Sequence, residues 1–130
     1  MSTQFVRINA PNQLLRLRVL VIEDSWNVAN AIKAILEEAG AHVLGPVPSV
    51  AEAIHVIKNE AVSLALVDMN LREAFADDVI AELRARDIPY VIVTAYETLP
   101  TDADQYAAGV FHKPVDAREL INFVSRFVAG

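Results

Sequence analysis

Ser63–Asn70, SLALVDMN, is the stretch on which the reading of the chain turns. Leu64 to Val67 form a short unbroken apolar run that ends on a carboxylate, Asp68. A continuous run, rather than an alternation, is what a strand covered on both faces requires, as in a parallel sheet. In open α/β sheets, ligands and chemistry collect just beyond the carboxyl ends of the strands, where Asp68 would stand. Aspartate is also a common turn and cap residue. What Asp68 does therefore depends on what else the chain brings to the same edge.

Outward from this stretch, apolar strands and amphipathic helices alternate. Upstream, Arg18-Val19-Leu20-Val21-Ile22 is a second buried run that delivers Glu23-Asp24 at its end. From about Trp26 to Ala39, Val28, Ala29, Ile32, Ile35, Leu36 and Ala39 recur at helical spacing, and Gly40 follows as a C-cap. His42–Gly45 predicts a short strand stopped by Pro46 and Pro48. Ser49 with Glu52 predicts a capping box for a helix ending near Asn59. Downstream, Leu71–Ala76 has no regular pattern, and a helix is expected over about Asp77–Arg86. Tyr90–Val93 is a fourth strand ending at Thr94, and Val110–His112 a fifth ending at Lys113-Pro114. Between them a short helix is expected near Asp102–Ala107. Asp116 caps a last helix bearing Leu120, Ile121, Val124, Phe127 and Val128. Five strands alternating with five helices predict a parallel sheet with helices on both faces.

Composition narrows the function. The 130 residues are 54% hydrophobic with a mean hydropathy of +0.32, which suits one domain with a proper core. Residues 1–15 are expected to form a loose N-terminal extension, with a short extended piece at Phe5–Ile8, and 16–130 the domain. No apolar run is long enough to span a bilayer, and the N-terminus lacks the pattern of a secretory signal. Cysteine is absent, so there is neither a disulfide framework nor thiolate chemistry, and a cytoplasmic location is expected. The net charge is −6 and the eleven basic residues are scattered, so no nucleic-acid surface is expected. His42, His55 and His112 fall on different elements and do not suggest a zinc site. Trp26 is expected to pack in the core or at its rim, with a place leaning over the crevice as the alternative.

Four strand ends thus carry Glu23-Asp24, Asp68, Thr94 and Lys113. If the strands are parallel, three carboxylates, a hydroxyl and an ammonium share one crevice. Clustered carboxylates repel one another, and a hard cation such as Mg²⁺ (or Mn²⁺) relieves the repulsion. An ionised aspartate is a competent nucleophile toward a phosphoryl group, whose oxygens need the neutralisation that a metal and an ammonium supply together.

In VLVIED, LALVDMNL, VIVTA and FHKP, spread over about Arg16 to Val128, the chain resembles a receiver domain of two-component response regulators. The resemblance implies a flavodoxin-like (βα)5 sandwich with a parallel five-stranded sheet of order 2-1-3-4-5. It implies that Asp68 accepts a phosphoryl group from a sensor histidine kinase or a histidine phosphotransfer protein. Glu23 and Asp24 would be the metal-binding pair, and the Asn70 backbone carbonyl would complete the metal shell. Thr94 would be the switch hydroxyl, Lys113 the phosphoryl contact, and Pro114 the proline after a cis peptide. Output would run through contact with a downstream protein target by a monomer or weak dimer, with no output domain and no membrane attachment.

Two features depart from the family pattern. Leu71-Arg72-Glu73-Ala74 replaces the usual Pro and Gly after the acceptor, and Val110 stands where an aromatic switch residue is common. Tyr96 and Phe111 are the aromatic candidates nearby. Tyr96, in a segment similar to that of certain alphaproteobacterial single-domain regulators, is the expected mobile ring. Two other readings stay open: a receiver-like binding module that is not phosphorylated, and an aspartate-nucleophile phosphohydrolase of the haloacid-dehalogenase type. The second would place its nucleophile after the first strand, where this chain has Glu23-Asp24-Ser25.

Overall fold

The computed structural model describes residues 13–71, 74–95 and 105–128. Its centre is the opening stretch: β3 (Leu64–Asp68) is buried at every position. On one side β3 pairs in parallel with β1 (Arg18–Ile22), and on the other with β6 (Tyr90–Thr94). β2 (His42–Val47) and β7 (Gly109–His112) form the two edges, giving a five-stranded sheet of order β2-β1-β3-β6-β7. Counting these five strands along the chain, the order is the expected 2-1-3-4-5.

Alternation along each strand explains why the runs must be continuously apolar, since successive side chains point to opposite faces. Leu20, Ile22, Ala65, Val67 and Ile92 face α2 (Val50–Asn59) and α3 (Asp77–Ala85), through Ala53, Ile57, Val79 and Leu83. Val19, Val21, Leu64, Leu66, Val91 and Val93 face α1 (Trp26–Glu38) and α4 (Ala117–Val124), through Ile32, Leu36, Leu120 and Val124. Each central strand thus feeds two cores, and full burial of each Leu, Ile or Val contributes about 1.5–3 kcal/mol.

The helix starts are set by local chemistry. Ser49 Oγ accepts the Glu52 N–H at 3.2 Å and donates to Glu52 Oε2 at 3.0 Å, so the expected pairing forms through the hydroxyl. Asp116 accepts the Glu119 N–H at 2.9 Å, and Ser25 caps α1 through Val28 at a longer 3.5 Å.

Several expectations are corrected. β2 does not stop before Pro46 but runs on to Val47, across a β-bulge opposite β1 and a cis Gly45–Pro46 peptide. The region after β3 is not patternless: β4 (Asn70–Leu71) and β5 (Ala74–Phe75) pair as a small antiparallel hairpin. Four of the expected helices and a closing 3-10 turn (Ser125–Phe127) fall among the described residues. The helix expected near Asp102–Ala107 lies mostly outside the described residues, and its last three carry no α-helix. Phe5–Ile8 and Tyr96 are also outside them. Leu14 is fully buried and its N–H bonds the Ala39 carbonyl at 2.7 Å.

Candidate functional site

Because β1, β3, β6 and β7 run parallel, their carboxyl ends lie on one edge, and the residues there come from four separate parts of the chain. Asp68 and Thr94 are the last residues of β3 and β6, 4% and 1% exposed. Glu23 follows β1 directly and is 3% exposed. Asp24 comes next and is partly exposed, and Lys113 follows β7. The structure brings together Glu23, Asp24 and Asp68, each offering an oxygen within 4.8 Å of the others. The Lys113 ammonium joins them, 2.9 Å from Glu23 Oε1 and 3.6 Å from Asp68 Oδ2. Thr94 is linked to Lys113 through the main chain, its carbonyl accepting the Lys113 N–H at 2.8 Å. The Lys113–Pro114 peptide is cis. Asn70 opens β4 two residues beyond Asp68.

Charge and burial oppose one another at Lys113. Burial pulls its pKa down, but the contacts with Glu23 and Asp68 outweigh this and hold it above the usual lysine value. Glu23 Oε2 accepts the Ser25 N–H at 3.0 Å. Oε1 is buried and faces the Lys113 ammonium at 2.9 Å. A buried carboxylate oxygen with only a charge opposite it, beside two further carboxylates, suits a hard cation with oxygen ligands.

Two main-chain contacts that steady this site carry no residue-type signature in the sequence. One is the Ser25 N–H on Glu23 Oε2; the other is the Val47 carbonyl, which accepts the Glu23 N–H at 3.0 Å. The signal that could have revealed the second is Gly45-Pro46, which reads as a strand end and is in fact a bulge. Trp26 is not in the core: it is 78% exposed, as the first residue of α1 and a turn before Ala29, that helix's first buried position. On another face of α1, an apolar groove of about 230 Å³ runs between this helix and the segment after β7, lined by Val28, Ile32, Ile35, Lys113, Pro114 and Val115 among others. Val110 and Phe111 face opposite layers. Val110 packs with the α2–α3 side, whereas Phe111 meets Phe123 of α4 edge-on at 5.4 Å. Among the described residues no helix is long and apolar enough to cross a membrane.

Known proteins are similar to this chain in sequence and fold. The chain is 31% identical over 113 residues to the two-component response regulator PhoP of Pseudomonas aeruginosa, covering 80% of this chain and 48% of that protein. It is 30% identical over 118 residues to the response regulator protein FleR of the same organism, covering 87% of this chain and 25% of FleR. The chain thus spans between a quarter and a half of these relatives. A CheY-like receiver domain from Methanospirillum hungatei superposes with a TM-score of 0.78 at 25% identity, over 86% of this chain and 93% of that one. The receiver domain of a Pseudomonas aeruginosa sensor histidine kinase, solved with a magnesium ion in its active-site cleft, superposes with a TM-score of 0.76 at 23% identity, over 88% of this chain and 98% of that one. The model of the response regulator receiver domain matches residues 19–125, nearly the whole of the packed chain, and the chain therefore belongs to the receiver domains of two-component response regulators.

Proposed function

We propose that Asp68 is the phosphoryl acceptor of this receiver, and that the donor is a phosphohistidine of a sensor histidine kinase or histidine phosphotransfer protein. The observation that carries the reading is the meeting of three carboxylates within 4.8 Å with an ammonium 3.6 Å from Asp68, at the ends of separate strands. Glu23, Asp24, Asp68 and the Asn70 carbonyl would hold Mg²⁺ (or Mn²⁺). The donor set, three carboxylates of which Glu23 and Asp68 are buried, supports the fit. Bound there, the ion supplies positive charge for the phosphoryl oxygens.

The chain's own residues account for the rest. An Asp68 carboxylate oxygen attacks phosphorus in line with the donor nitrogen. The N–P bond breaks as the O–P bond forms, and the imidazole nitrogen leaves with the electron pair. Lys113, already between Glu23 and Asp68, faces the charge that arrives on the phosphoryl oxygens, and the Thr94 hydroxyl offers them a hydrogen bond. Burial of Asp68 limits the access of water to the acyl phosphate. Exposed Trp26, at the start of α1 just after the acidic pair, gives a protein donor an apolar foothold. This reading extends to a cytoplasmic domain over 16–130 that acts as a monomer or weak dimer on a downstream protein. It turns over no substrate beyond slow loss of its own phosphate. Its switch, in which Thr94 and Tyr96 move together, belongs to the same proposal.

Incubation with a radiolabelled histidine kinase or with acetyl phosphate tests it. Wild-type protein should take up acid-labile phosphate, and Asp68→Asn should take up none. Undiminished labelling of Asp68→Asn would overturn the assignment.

A further inference from the structure

We infer that Gly45 is a positioning residue for the acidic pair, a role that rests on the metal-binding reading above. β1 and β2 run in register from Arg18 opposite His42 to Leu20 opposite Leu44, yet Ile22 lies opposite Val47. One extra residue of β2 is therefore taken up between Leu44 and Val47. The burial pattern shows the effect, since Leu44 and Val47 are both buried although three residues apart, a spacing that a regular strand would put on opposite faces.

Gly45 makes this possible. Its φ is +89°, where a side chain is strained, and a Cβ built on it would lie 2.7 Å from the Val47 nitrogen and 3.2 Å from the Val21 carbonyl. Both neighbours are backbone and cannot turn aside. The extra residue brings the Val47 carbonyl to the Glu23 N–H at 3.0 Å. Had the register continued unchanged, Pro46 would stand opposite Ile22 and Val47 would lie one residue further on. Glu23 is thus held at its backbone by the bulge and at Oε2 by Ser25, with Oε1 2.9 Å from the Lys113 ammonium. Gly45 touches none of the reacting groups; it acts through the main chain of Val47 on the direction of the Glu23 carboxylate.

The test is calorimetric titration of unphosphorylated protein with MgCl₂, alongside urea unfolding, for wild type, Gly45→Ala, Gly45→Asn and a stability control, Ile57→Ala. Ile57 is buried in the same layer, away from the acidic pair. Gly45→Ala should weaken Mg²⁺ binding about tenfold or more, the lower end of the loss seen when groups that orient metal ligands are altered. Gly45→Asn tolerates positive φ better but its Cβ meets the same backbone atoms, so it should also lose Mg²⁺ affinity, and it carries the measurement if Gly45→Ala does not fold. Ile57→Ala should bind Mg²⁺ as wild type does. Wild-type affinity in the folded Gly45 variants, or an equal loss in Ile57→Ala, would overturn the inference. A wild-type protein that binds no Mg²⁺ would instead overturn the metal-binding reading beneath it.

Discussion

Replacing Lys113 with methionine removes the one ammonium among three carboxylates while keeping most of the side-chain volume. With an effective dielectric constant of about 20, its attraction to Glu23 at 2.9 Å is about 6 kcal/mol and to Asp68 at 3.6 Å about 5 kcal/mol. Much of this offsets the cost of withdrawing three charges from water, and the variant no longer bears the ammonium's share. What remains is a cluster of like charges, with Glu23 and Asp68 nine-tenths or more buried. Breaking a buried pair from one side costs about 3–5 kcal/mol. We take the lower end because Lys113 retains 21% side-chain exposure. A loss of about 3 kcal/mol lowers Tm by about 10 °C in a domain of this size. Urea unfolding and scanning calorimetry at pH 7, with and without 10 mM MgCl₂, measure it. Mg²⁺ should close much of the gap between variant and wild type, since it supplies the missing positive charge. pH gives a second check. The folded-state pKa of Lys113 is raised above the ordinary lysine value of 10.5, so its contribution is complete below that value and disappears as pH climbs through the folded pKa. The gap between the two proteins should therefore begin to narrow above about pH 10.5 and close only once pH passes the higher folded pKa. A loss under about 1 kcal/mol, or one that Mg²⁺ leaves unchanged, would show that the ammonium does not hold the carboxylates together.

Trp26→Ala should slow phosphoryl uptake from a kinase about five- to tenfold while leaving uptake from acetyl phosphate unchanged, the span of roughly 1 kcal/mol for an exposed aromatic contact; equal rates from the protein donor would remove Trp26 from the docking rim. Leu120→Ala, at a fully buried position against the sheet, should cost about 2–5 kcal/mol in urea unfolding without altering Mg²⁺ affinity, because the site lies at the strand ends and not in that layer.

The parts of the molecule that were legible in the sequence are those whose chemistry is written in consecutive side chains. β1, β3 and β6 are continuous apolar runs because each faces two helical layers, and the polar residue that ends each run lies at the sheet edge. Ser49 with Glu52, and Asp116 before its helix, give local capping signals that need no tertiary context. The residues that gather at the site follow from parallel strands alone. Less legible were features decided by backbone geometry or by long-range contact. Gly45-Pro46 carries the composition of a strand end, yet positive φ at Gly45 lets the strand continue past a bulge. Asn70–Leu71 and Ala74–Phe75 pair over too few residues to show a period. Trp26 has the composition of a core residue and stands at the outer end of α1, where nothing covers it among the described residues. Leu14 is buried in the core layer shared with α1 and α4, which no local pattern around residue 14 reveals.

The kink at Gly45 and Pro46 has a consequence beyond the site. β2 is one margin of the sheet, and an open margin is a template on which strands of other chains can add. A straight β2 would offer an unbroken row of outward amides. Here proline contributes no N–H, and the bulge turns the row out of line midway along the strand. On this side the domain is protected from edge-to-edge aggregation at high concentration by the same bulge that fixes the register of Glu23.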